Sequence, residues 1–149
     1  MATTRSASGV TLVELLVVLA IIGVLASLAW PSYRQYVVRA HRSEAIEALL
    51  ATAAEQERFL IHFGRYAEGF AGAAGSPGPG LPIGPQSRGG RYRLALSLDP
   101  AGHYTASAQP LTGGGQELDR ACAEFRIRAD GLRTALGADG RNSTDECWR

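Results

Sequence analysis

The stretch Gly9-Val10-Thr11-Leu12-Val13-Glu14 opens a run that stays apolar to Trp30, and it decides how the rest of the chain is read. Val10 to Trp30 is 21 residues, with Glu14 as its one ionisable side chain. That length suits a single crossing of a hydrocarbon core about 30 Å thick. A carboxylate inside such a segment is costly, about 2.5–3.5 kcal/mol for a charge at the helix centre on insertion scales, so it calls for a partner and a purpose. A secretory signal would carry a charged leader, an apolar stretch of about 7–15 residues and a small-residue cleavage site after it. Here the polar leader Met1–Ser8 holds only Arg5, the apolar stretch is longer, and no such site precedes Pro31. A plain membrane anchor explains the apolar run but neither the glycine nor the acid.

The remainder has room for one small domain. The chain is 149 residues long, and its charge is nearly balanced, 15 basic residues (all arginine) against 14 acidic. Between Gly64 and Arg149 ten arginines face nine acids, so net charge alone provides no strong field for nucleic acid. The two cysteines, Cys122 and Cys147, are both near the C-terminus, and none of His41, His62 and His103 falls at a zinc-type spacing from them. Neither a metal nor a cofactor is expected. In an exported domain a disulfide is the favoured reading of such a pair, with two buried reduced thiols as the alternative. A bond closing this loop would contribute about 3–4 kcal/mol in the chain-entropy model, a large share for so small a core. Arg34, Arg39 and Arg42 after the apolar segment outnumber Arg5 before it, which by charge alone would keep the C-terminus inside; long domains translocate largely regardless of that rule.

Past Trp30 the pattern turns amphipathic. Pro31 is expected to kink or loosen a helix rather than start a new one, and Trp30, Tyr33 and Tyr36 suit an interfacial aromatic belt. From Ser32 to Phe63 an apolar stripe of Tyr36, Ala40, Ser43, Ile46, Leu50, Ala53, Ala54 and Leu60 recurs at helical spacing, with Arg39, Arg42, Glu44, Glu55 and Arg58 on the other side. The expected segments are a leader (1–9), an apolar helix (10–30), an amphipathic helix (31–63) and a globular domain (64–149). Within that domain, 64–90 is Gly/Pro-rich and reads as a long surface loop. In 91–136, Tyr92, Leu94, Leu96 and Leu98 alternate with polar neighbours; Asp99-Pro100-Ala101-Gly102 makes a turn into Tyr104–Gln109. After a loop, Ala123–Arg128 points Phe125 and Ile127 inward, and Asp130-Gly131 turns into Leu132–Leu136. Gly137–Arg149 reads as irregular, held by Cys147 in a region bounded by residues 122 and 147. The fold class is α+β: a long N-terminal helix packed against a small antiparallel sheet of about four strands, with a C-terminal disulfide loop.

This order of features resembles the type IV pilins. Polar leader, glycine, Glu14 and unbroken apolar helix are similar to their class III prepilin signal. Gln56-Glu57-Arg58-Phe59, then Gly64-Arg65-Tyr66-Ala67, and the finish of Asp-Gly turn and Cys147-Trp148 are similar to the PilE-like minor pilins and their relatives, the competence pilins. The family usually has phenylalanine where this chain has Val10. The resemblance implies a prepilin peptidase/methyltransferase that cuts between Gly9 and Val10 and methylates the new amine of Val10. It also implies other pilin subunits as partners in a helix bundle, and the inner-membrane pilus assembly machinery. The implied location is the inner membrane, single-pass with the C-terminal domain in the periplasm, then the extracellular pilus. Glu14 would pair with the Val10 amine of a neighbouring subunit, since an unpaired carboxylate in a low-dielectric bundle is expensive; a Glu14 that merely sits protonated in the anchor is the alternative.

No catalytic constellation competes: the serines lack a nucleophile elbow, and no Gly-rich run leads into Lys-Ser, so the chain is read as no enzyme. Asn142-Ser143-Thr144 matches a glycosylation sequon, a weak three-residue signal. The functional reading is a minor structural subunit acting in pilus assembly and in twitching, adhesion or DNA uptake. The alternatives are a DNA-binding competence pilin and a type II secretion pseudopilin. The DNA alternative rests on Arg91, Arg93, Arg126 and Arg128, which by alternation line one sheet face and suit phosphate; a solvated face balanced by Glu124 and other acids is the preferred reading of those arginines.

Overall fold

The computed structural model describes residues 11–72 and 80–149, in two compact units divided between Val37 and Val38. The Gly9–Val10 junction and residues 73–79 of the Gly/Pro-rich loop lie outside the described residues.

The first unit is the apolar part of α1 (Leu12–Ala40). Thr11 starts this helix: its Oγ1 accepts the Glu14 amide N–H at 3.2 Å and its carbonyl accepts that of Leu15. Thr11-Leu12-Val13-Glu14 thus has the residue pattern of a capping box, with the Thr half formed. The apolar side chains from Leu12 to Leu28 are all exposed in the single chain, Leu12 at 76% and Leu28 at 73%. Lipid or other helices must cover them. Helix persists through position 31, and the interruption falls instead at His41, where α2 (Arg42–Phe63) begins.

In the second unit, α2 packs on a four-stranded antiparallel meander in the order β1 (Tyr92–Leu98), β2 (Tyr104–Pro110), β3 (Glu124–Arg128), β4 (Arg133–Leu136). Alternation sends Tyr92, Leu94, Tyr104, Ala106, Ala108, Phe125, Ile127 and Ala135 into the core. Gly102 and Gly131 make the two tight turns at positive φ, 83° and 79°. Phe125 is the centre of the aromatic packing, with ring centroids 6.0 Å from Tyr92 and 6.1 Å from Trp148, both edge-on. The 64–90 segment is not simply a surface loop. Phe70 and Leu81 are buried and bridged, Ala71 N–H donating to Leu81 O at 2.8 Å and Leu81 N–H to Gly69 O at 2.9 Å. Gly80 permits that approach, because a Cβ there would lie 2.5 Å from the Phe70 carbonyl carbon. Farther on, Leu94 N–H donates to Pro85 O at 2.9 Å, so the loop also covers the start of β1's free edge.

The buried face of α2 differs from the expected stripe. It consists of Arg42, Ala45, Leu49, Thr52, Gln56 and Phe59, whereas Tyr36 and Leu50 are exposed. The polar members are tolerated because each has its own partners. Thr52 Oγ1 donates to Ala48 O at 2.8 Å; Gln56 accepts the Ala67 N–H at 2.8 Å and donates to Ala67 O at 3.0 Å. Arg42, expected on the solvent side, is 8% exposed and held by Asp119. The tail also departs from irregularity. Ser143 N–H donates to Ala135 O, Thr144 Oγ1 accepts the Ala135 N–H, and Thr144–Cys147 forms one helical turn, α3.

Candidate functional site

Two surfaces follow from this architecture. Glu14, in the first turn of α1, is an exposed carboxylate among exposed leucines and valines. A negative charge there is favoured by the helix N-terminus but not matched by any cation of the described residues. Its expected partner is the Val10 amine of a neighbouring subunit; this chain's own Val10 and Gly9 lie outside the described residues.

The second surface is the outer face of the sheet. Cross-strand register aligns Arg93 with Gln109, Ala95 with Ser107 and Arg126, and Ser97 with Thr105 and Arg128. Thr134 of β4 faces Arg126. Side chains opposite one another on a sheet share a face, so Arg93, Arg126 and Arg128 stand among short polar residues. The face thus carries three arginines among Ala, Ser and Thr side chains, with Arg126 between Ser107 and Thr134.

Arg91 does not join that face. It precedes β1, and its Nη1 donates to Glu44 Oε2 at 2.8 Å on the helix side of the sheet. Glu44 also accepts a short hydrogen bond from Ser87 Oγ. Partial burial pushes the Glu44 carboxyl up, but the bonds from Ser87 and Arg91 outweigh it and hold the group below its ordinary range. The remaining arginines differ in how free they are. Arg126 Nη2 contacts Glu124 at 2.6 Å, which raises the guanidinium further, and Arg128 contacts Asp130 at 3.2 Å. Arg93 makes no ion pair among the described residues. Phosphate would compete with two carboxylates for Arg126 and Arg128, but with none of the described ones for Arg93.

The cysteines do pair: Cys122 and Cys147 form a disulfide with a Cα separation of 5.8 Å, both residues being buried. Behind it lies a polar cluster that sequence reasoning missed. Arg42 Nε and Nη2 donate to the two Asp119 carboxylate oxygens at 2.7 and 2.8 Å, and its guanidinium also reaches Glu146 Oε1 at 3.4 Å. Asp119 raises the Arg42 guanidinium above its ordinary value by hydrogen bonding, against the effect of burial. Nearby, burial first and then Asp119 push the Tyr92 hydroxyl far up, so it stays neutral. Neither partner of Arg42 could be read from periodicity, since Asp119 is 77 residues away in a loop.

Two family models match this chain. Residues 4–30 match the prokaryotic N-terminal methylation motif, and residues 31–126 match type IV minor pilin ComP, DNA uptake sequence receptor. No match was found among curated proteins. Pilins are structural, non-enzymatic subunits, and the family implies association with other pilin subunits and a prepilin peptidase. The signal and apolar helix fit an inner-membrane anchor that later enters a pilus. With a methylation motif at its start and the minor-pilin match over most of the rest, the chain belongs to the ComP family of type IV minor pilins and is a minor pilus subunit with a role in DNA uptake.

Proposed function

We propose that this subunit receives DNA on the outer face of its sheet, with Arg93, Arg126 and Arg128 contacting backbone phosphates. The observation that carries this is the register that sets these arginines among small polar side chains on one face. The match to a DNA-receptor family over residues 31–126 supports taking phosphate as the anion. The solvated-face reading still describes Arg126 and Arg128 in the free protein, because Glu124 and Asp130 neutralise them. Binding therefore requires exchange of carboxylate for phosphate at those two, and Arg93 is the first contact. Chemistry is not part of the role.

The rest of the reading concerns assembly. A peptidase cuts between Gly9 and Val10 and methylates Val10, Glu14 pairs with the amine of an adjacent subunit, and the assembly machinery takes up the subunit with its C-terminal domain in the periplasm. Twitching and adhesion then depend on the same filament. The test of the DNA proposal is fluorescence anisotropy of labelled duplex DNA with the full chain in detergent, titrated over salt. Arg93→Ala should reduce the slope of log K against log salt by about 1, as expected for one lost phosphate contact. An unchanged slope for Arg93→Ala, Arg126→Ala and Arg128→Ala alike overturns the proposed face.

A further inference from the structure

Arg42 is a buried charge that neither the assembly surface nor the DNA face uses. Its guanidinium touches both arms of the region that the disulfide closes. On one arm it grips Asp119 through two bonds of 2.7 and 2.8 Å, and the Asp119 carbonyl in turn accepts the Cys122 N–H at 3.2 Å. On the other arm it reaches Glu146 through a side-chain contact of 3.4 Å and a bond to the Glu146 carbonyl at 3.4 Å. Glu146 immediately precedes Cys147 in α3. One side chain from the first turn of α2 thus contacts a residue three before one cysteine and the residue next to the other.

We propose that Arg42 is the template on which the Cys122–Cys147 bond closes: it positions the two thiols side by side in the reduced chain, so that the disulfide forms against α2 rather than at random. Geometry favours this role over simple core filling. A planar guanidinium with two bonds to one carboxylate fixes the orientation of the Asp119 loop, which a point charge would not. Asp119 is 5% exposed, so without Arg42 it is a buried, unpartnered carboxylate and the loop must leave its position. The hold on α3 is looser, since the Glu146 side chain is 57% exposed. The arms have other ties, Ala138 N–H to Arg120 O at 2.8 Å between the loop before Cys122 and the segment after β4, and Trp148 Nε1–H to Thr134 O at 2.9 Å between tail and β4, but neither involves α2. Anchoring the cysteine pair to the helix is what Arg42 adds.

The bond forms when the two thiols give up two protons and two electrons to a disulfide oxidant, which leaves as two thiols. The measurable quantity is the effective concentration of the thiol pair. It is read by equilibrating the full chain in detergent with glutathione and glutathione disulfide at about pH 8 until the ratio of forms stops changing, and quantifying both forms after acid quenching. Arg42→Gln should lower it at least tenfold more than Leu49→Ala, a core truncation on the same helix outside the clamp. Arg42→Lys should fall between Arg42→Gln and the native chain. Glu146→Gln should lower it about two- to fivefold, with a correspondingly small drop in the melting midpoint of the oxidised chain, as suits an exposed pair. Equal effects of Arg42→Gln and Leu49→Ala overturn the proposal. If Arg42→Gln does not fold, Glu146→Gln decides alone, and an unchanged value there overturns it too.

Discussion

Glu14 carries two demands at once. As the third helical residue after Thr11 it sits where a carboxylate favours the helix start, and its own amide is the one that Thr11 Oγ1 accepts. As a carboxylate surrounded by exposed Leu12, Val13, Leu15 and Leu16, it needs a cation or a proton once lipid or helices cover that surface. The first demand is worth about 0.3–1 kcal/mol, and valine at this position would recover some of it as apolar area. On the proposed pairing the second is met by a partner outside the chain, so its loss is expected on assembly and not on insertion. Glu14→Val is therefore expected to be inserted and cut at Gly9–Val10 as the native chain is, while its amount in sheared filaments falls by an order of magnitude. Mass spectrometry of membrane and filament fractions measures both quantities. Native recovery in filaments would remove Glu14 from assembly.

At the scale of elements, alternation made the sheet legible and helical periodicity misread the face of α2. Tyr92, Leu94, Phe125 and Ile127 point inward as their spacing requires, and Asp99–Gly102 and Asp130-Gly131 turn where their residues dictate. Counting apolar residues along α2 failed because half its buried positions are polar, Arg42, Thr52 and Gln56. Their hydrogen-bond partners belong partly to Asp119 and Ala67, outside the helix, and no local pattern reveals them. Arg91 was misplaced for the same reason: position relative to Tyr92 sends it outward, but Glu44 draws it to the helix side. This element contact has a pH signature. The Glu44 carboxyl is held below its ordinary value, 4.5, so the folded state favours the ionised form and gains stability above that value. The gain is lost as pH falls below 4.5 and through the folded value. Glu44→Gln should accordingly melt below the native chain at pH 7, with the gap shrinking as pH drops from 5 to 3. Thermal denaturation of the full chain in detergent, followed by circular dichroism, measures it; a gap constant across that window would mean that the charge of Glu44 contributes nothing.

For the whole molecule, the residue proposed for assembly and those proposed for DNA fall in different units, Glu14 before Val37 and Arg93, Arg126 and Arg128 after it. The prepilin signal was readable because its chemistry is written in one contiguous stretch. The face proposed for DNA was only half readable, because alternation provides the side of the sheet and Glu124 as a balancing acid, while the turn of Arg91 to Glu44 and the pairing of Arg128 with Asp130 depend on rotamers. If the two surfaces act independently, their losses should separate. Arg93, Arg126 and Arg128 are on the solvent face and outside the core, so replacing all three by Gln costs little stability, within about 0.5 kcal/mol per site. The triple variant is expected to be processed, to enter filaments at native levels and to leave twitching intact, while transformation by added DNA drops at least tenfold. Glu14→Val should reduce recovery in filaments and transformation together. Scoring filament content and transformation in the same cells distinguishes the cases: a triple variant that loses both has a sheet face needed for assembly, and one that keeps native transformation has DNA bound elsewhere on the subunit or not at all.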